Sequence, residues 1–160
     1  MKYTETKVTF SEIPDEITLC INISNCPCHC KNCHSSYLAQ DIGERLRYDN
    51  LISLIHKNKG ITCVAFMGGD ADPLSVNAYA SIIKEQFPNL KVAWYSGRQE
   101  LSKDIDLGNF DYIKLGPYIE ELGPLNHKTT NQRMYRIVLD HYDNGTSGYE
   151  LEDITHKFWK

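Results

Sequence analysis

Apolar residues at alternate positions mark the start of the chain. Val8 and Phe10, then Ile17, Leu19, Ile21 and Ile23, repeat with a period of two on either side of Pro14-Asp15, which predicts two strands joined by a turn. The second strand runs directly into a cysteine-rich stretch. Across residues 44–57, Leu46, Leu51, Ile52, Leu54 and Ile55 recur at mostly helical spacing, and Gly60 ends the segment, so a helix is expected there. Residues 61–67 form an apolar run of strand length that stops at Gly68-Gly69, and residues 74–87 then read as a helix closed by Pro88. Residues 90–95 ahead of Ser96-Gly97, and 112–115 ahead of Gly116-Pro117, repeat the pattern of a short buried strand ending in a glycine turn. Strands alternating with helical segments imply an α/β fold with a parallel sheet. After Met134 the pattern changes: residues 134–139 and 148–154 are strand-like and flank Asp143-Asn144-Gly145, a hairpin signal, so a C-terminal hairpin or edge strand is expected.

No internal repeat, low-complexity run or linker interrupts this pattern, and 160 residues suit one domain, 1–160. A composition of 41% hydrophobic and 24% charged residues is that of a globular chain. The net charge is −4 and the 17 basic residues are scattered, which argues against direct binding of nucleic acid. No apolar run reaches signal-peptide or membrane-span length, so a cytoplasmic protein with no membrane association is expected.

Cysteine placement changes the picture from fold to chemistry. Four of the six cysteines fall at positions 26, 28, 30 and 33, a crowding that in a cytosolic chain points to metal. Cys26, Cys30 and Cys33 form a CxxxCxxC pattern. Three thiolates on a short irregular loop suit three irons of a 4Fe-4S cluster and leave the fourth iron for a ligand. The competing reading is a zinc knuckle that draws on Cys28, His29 or His34, since thiolates and imidazoles also bind zinc. Cys28 itself reads as a spectator, an alternative ligand or a fourth ligand of a closed cluster. Cys20 and Cys63 lie on apolar strands and read as core residues, and His56, His127, His141 and His156 have no partner spacing.

The cysteine loop resembles the radical S-adenosylmethionine superfamily, whose signature is CxxxCxxC after the first strand of a barrel. Phe66-Met67-Gly68-Gly69-Asp70 is similar to that family's Gly-Gly-Glu/Asp motif at the end of the second strand. Three further stretches resemble one branch, the activating proteins of anaerobic ribonucleotide reductase. Gly68-Gly69-Asp70-Ala71-Asp72-Pro73-Leu74 looks like its GGDPL with two residues inserted, and Trp94-Tyr95-Ser96-Gly97 is similar to its Tyr-Thr/Ser-Gly turn. Gly116-Pro117-Tyr118-Ile119-Glu120-Glu121-Leu122, followed by Thr130-Asn131-Gln132-Arg133, resembles its late block. Cys28, where relatives often carry histidine, and the Ala71-Asp72 insertion are the two departures.

The resemblance implies a TIM-type barrel with helices outside, incomplete because the chain is short for eight units. It also implies that Cys26, Cys30 and Cys33 are the catalytic and metal-ligating residues of a 4Fe-4S cluster. Gly68 and Gly69 are expected beside the methionine end of S-adenosylmethionine, where a side chain would block approach. Asp70 is expected either there or at a helix cap. Ser96 and Gly97 are expected at the cofactor or as a plain turn. Lys114 is expected to point into a polar mouth or to mark an exposed edge, and Asn131, Gln132 and Arg133 to line the cofactor or partner face or a solvated loop. The implied activity is reductive cleavage of S-adenosylmethionine and formation of a glycyl radical on anaerobic ribonucleotide reductase, with a flavodoxin or ferredoxin as electron donor. The alternatives are a radical enzyme acting on another protein or a small molecule, and a non-catalytic zinc or iron-sulfur module.

Overall fold

The computed structural model describes residues 1–159. Its strands are β1 (Lys2–Thr9), β2 (Thr18–Ile23), β3 (Glu44–Arg45), β4 (Cys63–Met67), β5 (Lys91–Tyr95), β6 (Tyr112–Leu115), β7 (Arg133–His141) and β8 (Ser147–Asp153). The α-helices are α1 (Tyr48–Lys57) and α2 (Pro73–Gln86). All eight strands belong to one sheet, in the order β3-β1-β2-β4-β5-β6-β7-β8.

Alternation along the central strands builds two different faces. Leu19, Ile21 and Ile23 of β2, Val64 and Phe66 of β4, Val92 and Trp94 of β5, and Ile113 and Leu115 of β6 pack with Leu51, Ile55, Val76, Ala80 and Ile83 of the two helices. On the other face, small side chains, Cys20, Cys63, Ala65 and Ala93, leave room for Ile13, Met134 and Ile154, with Tyr95, Tyr112 and Phe158 around them. The helices therefore cover one face only. Asp111 ties this arrangement together: its carboxylate accepts from the Val92 backbone N–H at 2.8 Å and from Lys84 Nζ on α2 at 2.6 Å.

The barrel expected from the sequence is not formed. Only β2, β4, β5 and β6 run parallel, while the pairings β1/β2, β1/β3, β6/β7 and β7/β8 are antiparallel. The result is a mixed open sheet, and α1 and α2 are the only α-helices among the described residues. The cause lies in two connections. Between β5 and β6 the chain makes a 3-10 turn, Leu107–Asn109, capped by Asp106, where a barrel needs a crossover helix. After β6 it returns as β7 and hydrogen-bonds antiparallel to β6, occupying the edge at which another parallel strand would dock. Two smaller differences are local. Residues 44 and 45 pair with β1, and the helix begins only at Tyr48, where the Arg47 backbone N–H donates to Asn50 Oδ1 at 3.1 Å. Val8 and Phe10 are exposed, and Tyr3 is the side chain of β1 that enters the core. Among the described residues no helix is long and apolar enough to cross a membrane.

Candidate metal and cofactor site

Strand register decides what comes together. Asn22 pairs with Met67, Met67 with Tyr95, and Tyr95 with Lys114, so the four parallel strands end in one row. The segments that follow them, the cysteine loop, Gly68-Gly69-Asp70, Ser96-Gly97 and Gly116-Pro117, therefore leave from the same edge. This is the edge where open parallel sheets gather ligands.

The cysteine loop is held by its own backbone. Asn25 N–H donates to Gln40 O at 2.9 Å, Cys26 N–H to Leu38 O at 2.8 Å and Cys33 N–H to Cys30 O at 3.3 Å. Positive φ at Asn25, His29 and Asn32 turns the chain between the cysteines; asparagine and histidine are among the residues that accept this conformation. Cys26, Cys28, Cys30 and Cys33 are partly exposed free thiols, whereas His29 and His34 lie exposed on the loop. Cys20 and Cys63 are buried, and burial pushes the Cys20 thiol up to about 12 and the Cys63 thiol further up. Those two are core residues.

Asp70, only 8% exposed, joins three loops. Its Oδ1 accepts from Ser96 Oγ at 2.5 Å, and its Oδ2 accepts from Gly97 N–H at 2.8 Å and from the Cys28 thiol at 3.7 Å. It caps no helix; that task falls to Asp72, whose side chain accepts from Ser75 N–H at 3.1 Å at the start of α2. The two inserted residues thus separate two duties that a contiguous motif would put on one carboxylate. Burial, followed by the neighbouring Asp70 charge, pushes the Cys28 thiol up to about 12, against the opposing pull of Arg98.

Each glycine of the site has a steric reason. Gly69 has φ +100°, and a Cβ there would stand 2.6 Å from Val76 Cγ2. Gly68 has φ +103°, and its carbonyl accepts from Trp94 Nε1 at 2.9 Å. Gly97 is packed against the cysteine loop, with Cys28 Sγ 2.7 Å from the position a Cβ would take.

Lys114 is not an exposed edge residue: it is 7% exposed, and its ammonium donates to Gly116 O at 2.6 Å and Ser96 O at 3.3 Å. Burial lowers its pKa to about 8, while Asp70 and the thiols of Cys30, Cys28 and Cys33 pull the other way. The late block packs on the Gly116-Pro117 turn that follows β6. Asn131 Nδ2 donates to Pro117 O at 3.0 Å, Gln132 Nε2 to Gly116 O at 3.5 Å, and Arg133 Nη1 to Thr130 O at 2.8 Å. Sequence reasoning missed two contacts, the Cys28 to Asp70 bond and the bond from Asn32 Nδ2 to Glu120 Oε2 at 2.7 Å that joins the cysteine loop to the late block. Neither has a signal in spacing, since the partners are 42 and 88 residues apart.

The donor set fits an iron-sulfur cluster by its chemistry, three soft thiols on one irregular loop, and the buried Lys114 ammonium feels the charge of the Cys30, Cys28 and Cys33 thiols. Among the described residues no three His, Cys, Asp or Glu side chains are grouped to hold a metal ion as they stand. No protein-family model, curated protein or solved structure matches this chain.

Proposed function

We propose that the chain is a radical S-adenosylmethionine activase that generates a glycyl radical on anaerobic ribonucleotide reductase, in the cytoplasm, with a flavodoxin or ferredoxin as reductant. The observation that carries this reading is the convergence on one sheet edge of the CxxxCxxC loop, Gly68-Gly69-Asp70, Ser96-Gly97 and Lys114. A 4Fe-4S cluster with one iron free of protein sulfur supplies reductive cleavage of S-adenosylmethionine and with it a hydrogen-abstracting radical.

Cys26, Cys30 and Cys33 are the residues to hold that cluster. Lys114 brings a buried positive charge to the thiolates and, anchored on two backbone carbonyls, spares them part of the cost of collecting negative charge in a partly dry site. Gly68-Gly69, whose missing side chains make room for Ile23 and Val76, and Ser96-Gly97, fixed by Asp70, are the two glycine lips of this edge. An edge of an open sheet is accessible to a loop of a second protein, which suits a substrate that is a backbone glycine of a large enzyme.

The test is anaerobic reconstitution with iron and sulfide, followed by dithionite and S-adenosylmethionine. Release of 5'-deoxyadenosine, and an electron paramagnetic resonance signal of a glycyl radical when the reductase is added, are the expected results. Protein that takes up zinc in place of iron, or that never yields 5'-deoxyadenosine, rejects the proposal. 5'-Deoxyadenosine without a glycyl radical moves the assignment to another substrate.

A further inference from the structure

We infer that Cys28 is a positioning residue: its thiol, bonded to Asp70 and seated against Gly97, locks the cysteine loop onto the loops that follow β4 and β5. The inference rests on the reading of this edge as a cluster and S-adenosylmethionine site, and it gives the one cysteine of the loop outside CxxxCxxC a task.

Three contacts meet at this point. Cys28 Sγ lies 3.7 Å from Asp70 Oδ2, a sulfur-to-oxygen hydrogen-bond distance, and the same oxygen accepts the Gly97 N–H at 2.8 Å. The other oxygen of Asp70 is taken by Ser96 Oγ at 2.5 Å, and Ser96 Oγ in turn accepts from Arg98 N–H at 3.0 Å. The α-carbon of Gly97 faces the thiol so closely that an added Cβ would lie 2.7 Å from Cys28 Sγ and 3.2 Å from Cys28 Cβ. No Lys or Arg nitrogen lies within 4.0 Å of the Asp70 carboxylate among the described residues, so the bonds that hold it come from Ser96, Gly97 and Cys28.

The consequence is a division of labour within four cysteines. Cys26, Cys30 and Cys33 are left for the cluster, while Cys28 sets the distance between that cluster and the two glycine lips. Cys28 never touches the reacting atoms in this arrangement; it acts through Asp70 and Gly97. An alanine in its place offers Asp70 no donor, and a serine hydroxyl, on a bond shorter than carbon–sulfur, falls short of the Oδ2 that the thiol meets at 3.7 Å.

The experiment compares wild type, Cys28→Ala and Cys28→Ser, each reconstituted anaerobically with iron and sulfide. Iron content is measured, and the reduced cluster is titrated with S-adenosylmethionine by electron paramagnetic resonance. All three proteins are expected to carry equal iron. Cys28→Ala is expected to need about two- to fivefold more S-adenosylmethionine for the spectral change, the scale of one weak thiol hydrogen bond, and Cys28→Ser, whose hydroxyl does not reach Asp70, to behave like Cys28→Ala. Loss of iron in Cys28→Ala makes the residue a ligand and overturns the inference. A wild-type titration curve for Cys28→Ala makes it a spectator and overturns it equally.

A second measurement separates this inference from the functional reading, because it needs neither cluster nor cofactor. Gly97→Ala is expected to lower the thermal midpoint of the cluster-free protein, and most of that loss is expected to vanish when Cys28→Ala is also present, since the clash is with Cys28 Sγ. If the spectrum of wild type ignores S-adenosylmethionine, the functional reading falls and the inference with it as a statement about cofactor binding. Additive losses in the double variant refute the contact itself.

Discussion

Replacing Gly69 by alanine places two costs on one residue. Its φ of +100° is a conformation in which a Cβ crowds the backbone, at about 1–2 kcal/mol. The new Cβ would also stand 2.6 Å from Cγ2 of Val76, a side chain buried between α2 and the sheet. Forced overpacking of this kind costs about 1–3 kcal/mol. Alanine restricts the unfolded chain and returns about 0.4–1 kcal/mol, so the net loss is about 2–4 kcal/mol. Two other glycines of positive φ calibrate the estimate. Gly68 has φ +103°, with its nearest neighbour Ile23 O at 3.1 Å, and Gly60 has φ +87° with nothing within 4 Å. Gly60→Ala then carries the backbone cost alone, about 1 kcal/mol or less after the unfolded-state return, and Gly68→Ala falls between the two. Urea unfolding of the cluster-free protein, followed by tryptophan fluorescence and far-ultraviolet circular dichroism, reads all three. For a chain of this size the Gly69 variant should melt about 4–15 °C below wild type. Equal losses at all three positions, or the largest loss at Gly60, would refute the reasoning from Val76.

Alanine at Cys26, Cys30 or Cys33 is expected to abolish bound iron after reconstitution while leaving the fold of the cluster-free protein intact by circular dichroism. Asp111→Ala removes the acceptor for Val92 N–H and the ion pair to Lys84; a loss of about 2–3 kcal/mol is expected in urea unfolding, with little change in iron uptake. Tyr112 donates to Glu16 Oε1 at 3.1 Å, and burial first, then Glu16, raises its phenol above its usual value. A folded pKa above the unfolded value of about 10 means that its contribution is whole below pH 10 and is lost as pH rises above it. Tyr112→Phe should therefore lower stability below pH 10 by about 1 kcal/mol, the scale of one hydrogen bond, and flatten the alkaline branch of a stability-against-pH curve.

Much of the element pattern is legible in the residues, because the signals are local. The strand at 112–115 and the helix at 74–87 are set by apolar runs between glycine and proline, and β6 and α2 stand within a residue of those bounds. Asp143-Asn144-Gly145 lies in the turn between β7 and β8. What periodicity does not carry is strand direction. Tyr112–Leu115 has the same apolar spacing whether the next strand comes back beside it or crosses over, and the reversal into β7 is decided by the loop 116–132, whose hydrogen bonds, such as Thr129 Oγ1 to Leu122 O and Thr130 Oγ1 to Gly123 O, link residues seven apart. The site shows the same division. Glycine and cysteine spacing marks the segments, and parallel register brings them to one edge. The bond from Cys28 to Asp70 and the enclosure of Lys114 arise only when those segments meet.

The central claim is that one iron of a bound cluster has no protein sulfur. Mössbauer spectra of anaerobically reconstituted, isotopically enriched protein, recorded before and after adding S-adenosylmethionine, address it without the need for a partner. The account predicts that one iron site of the four changes and that the other three keep sulfur-ligated parameters. Four unchanged, equivalent sites, or a protein that retains zinc and takes up no iron, would contradict it.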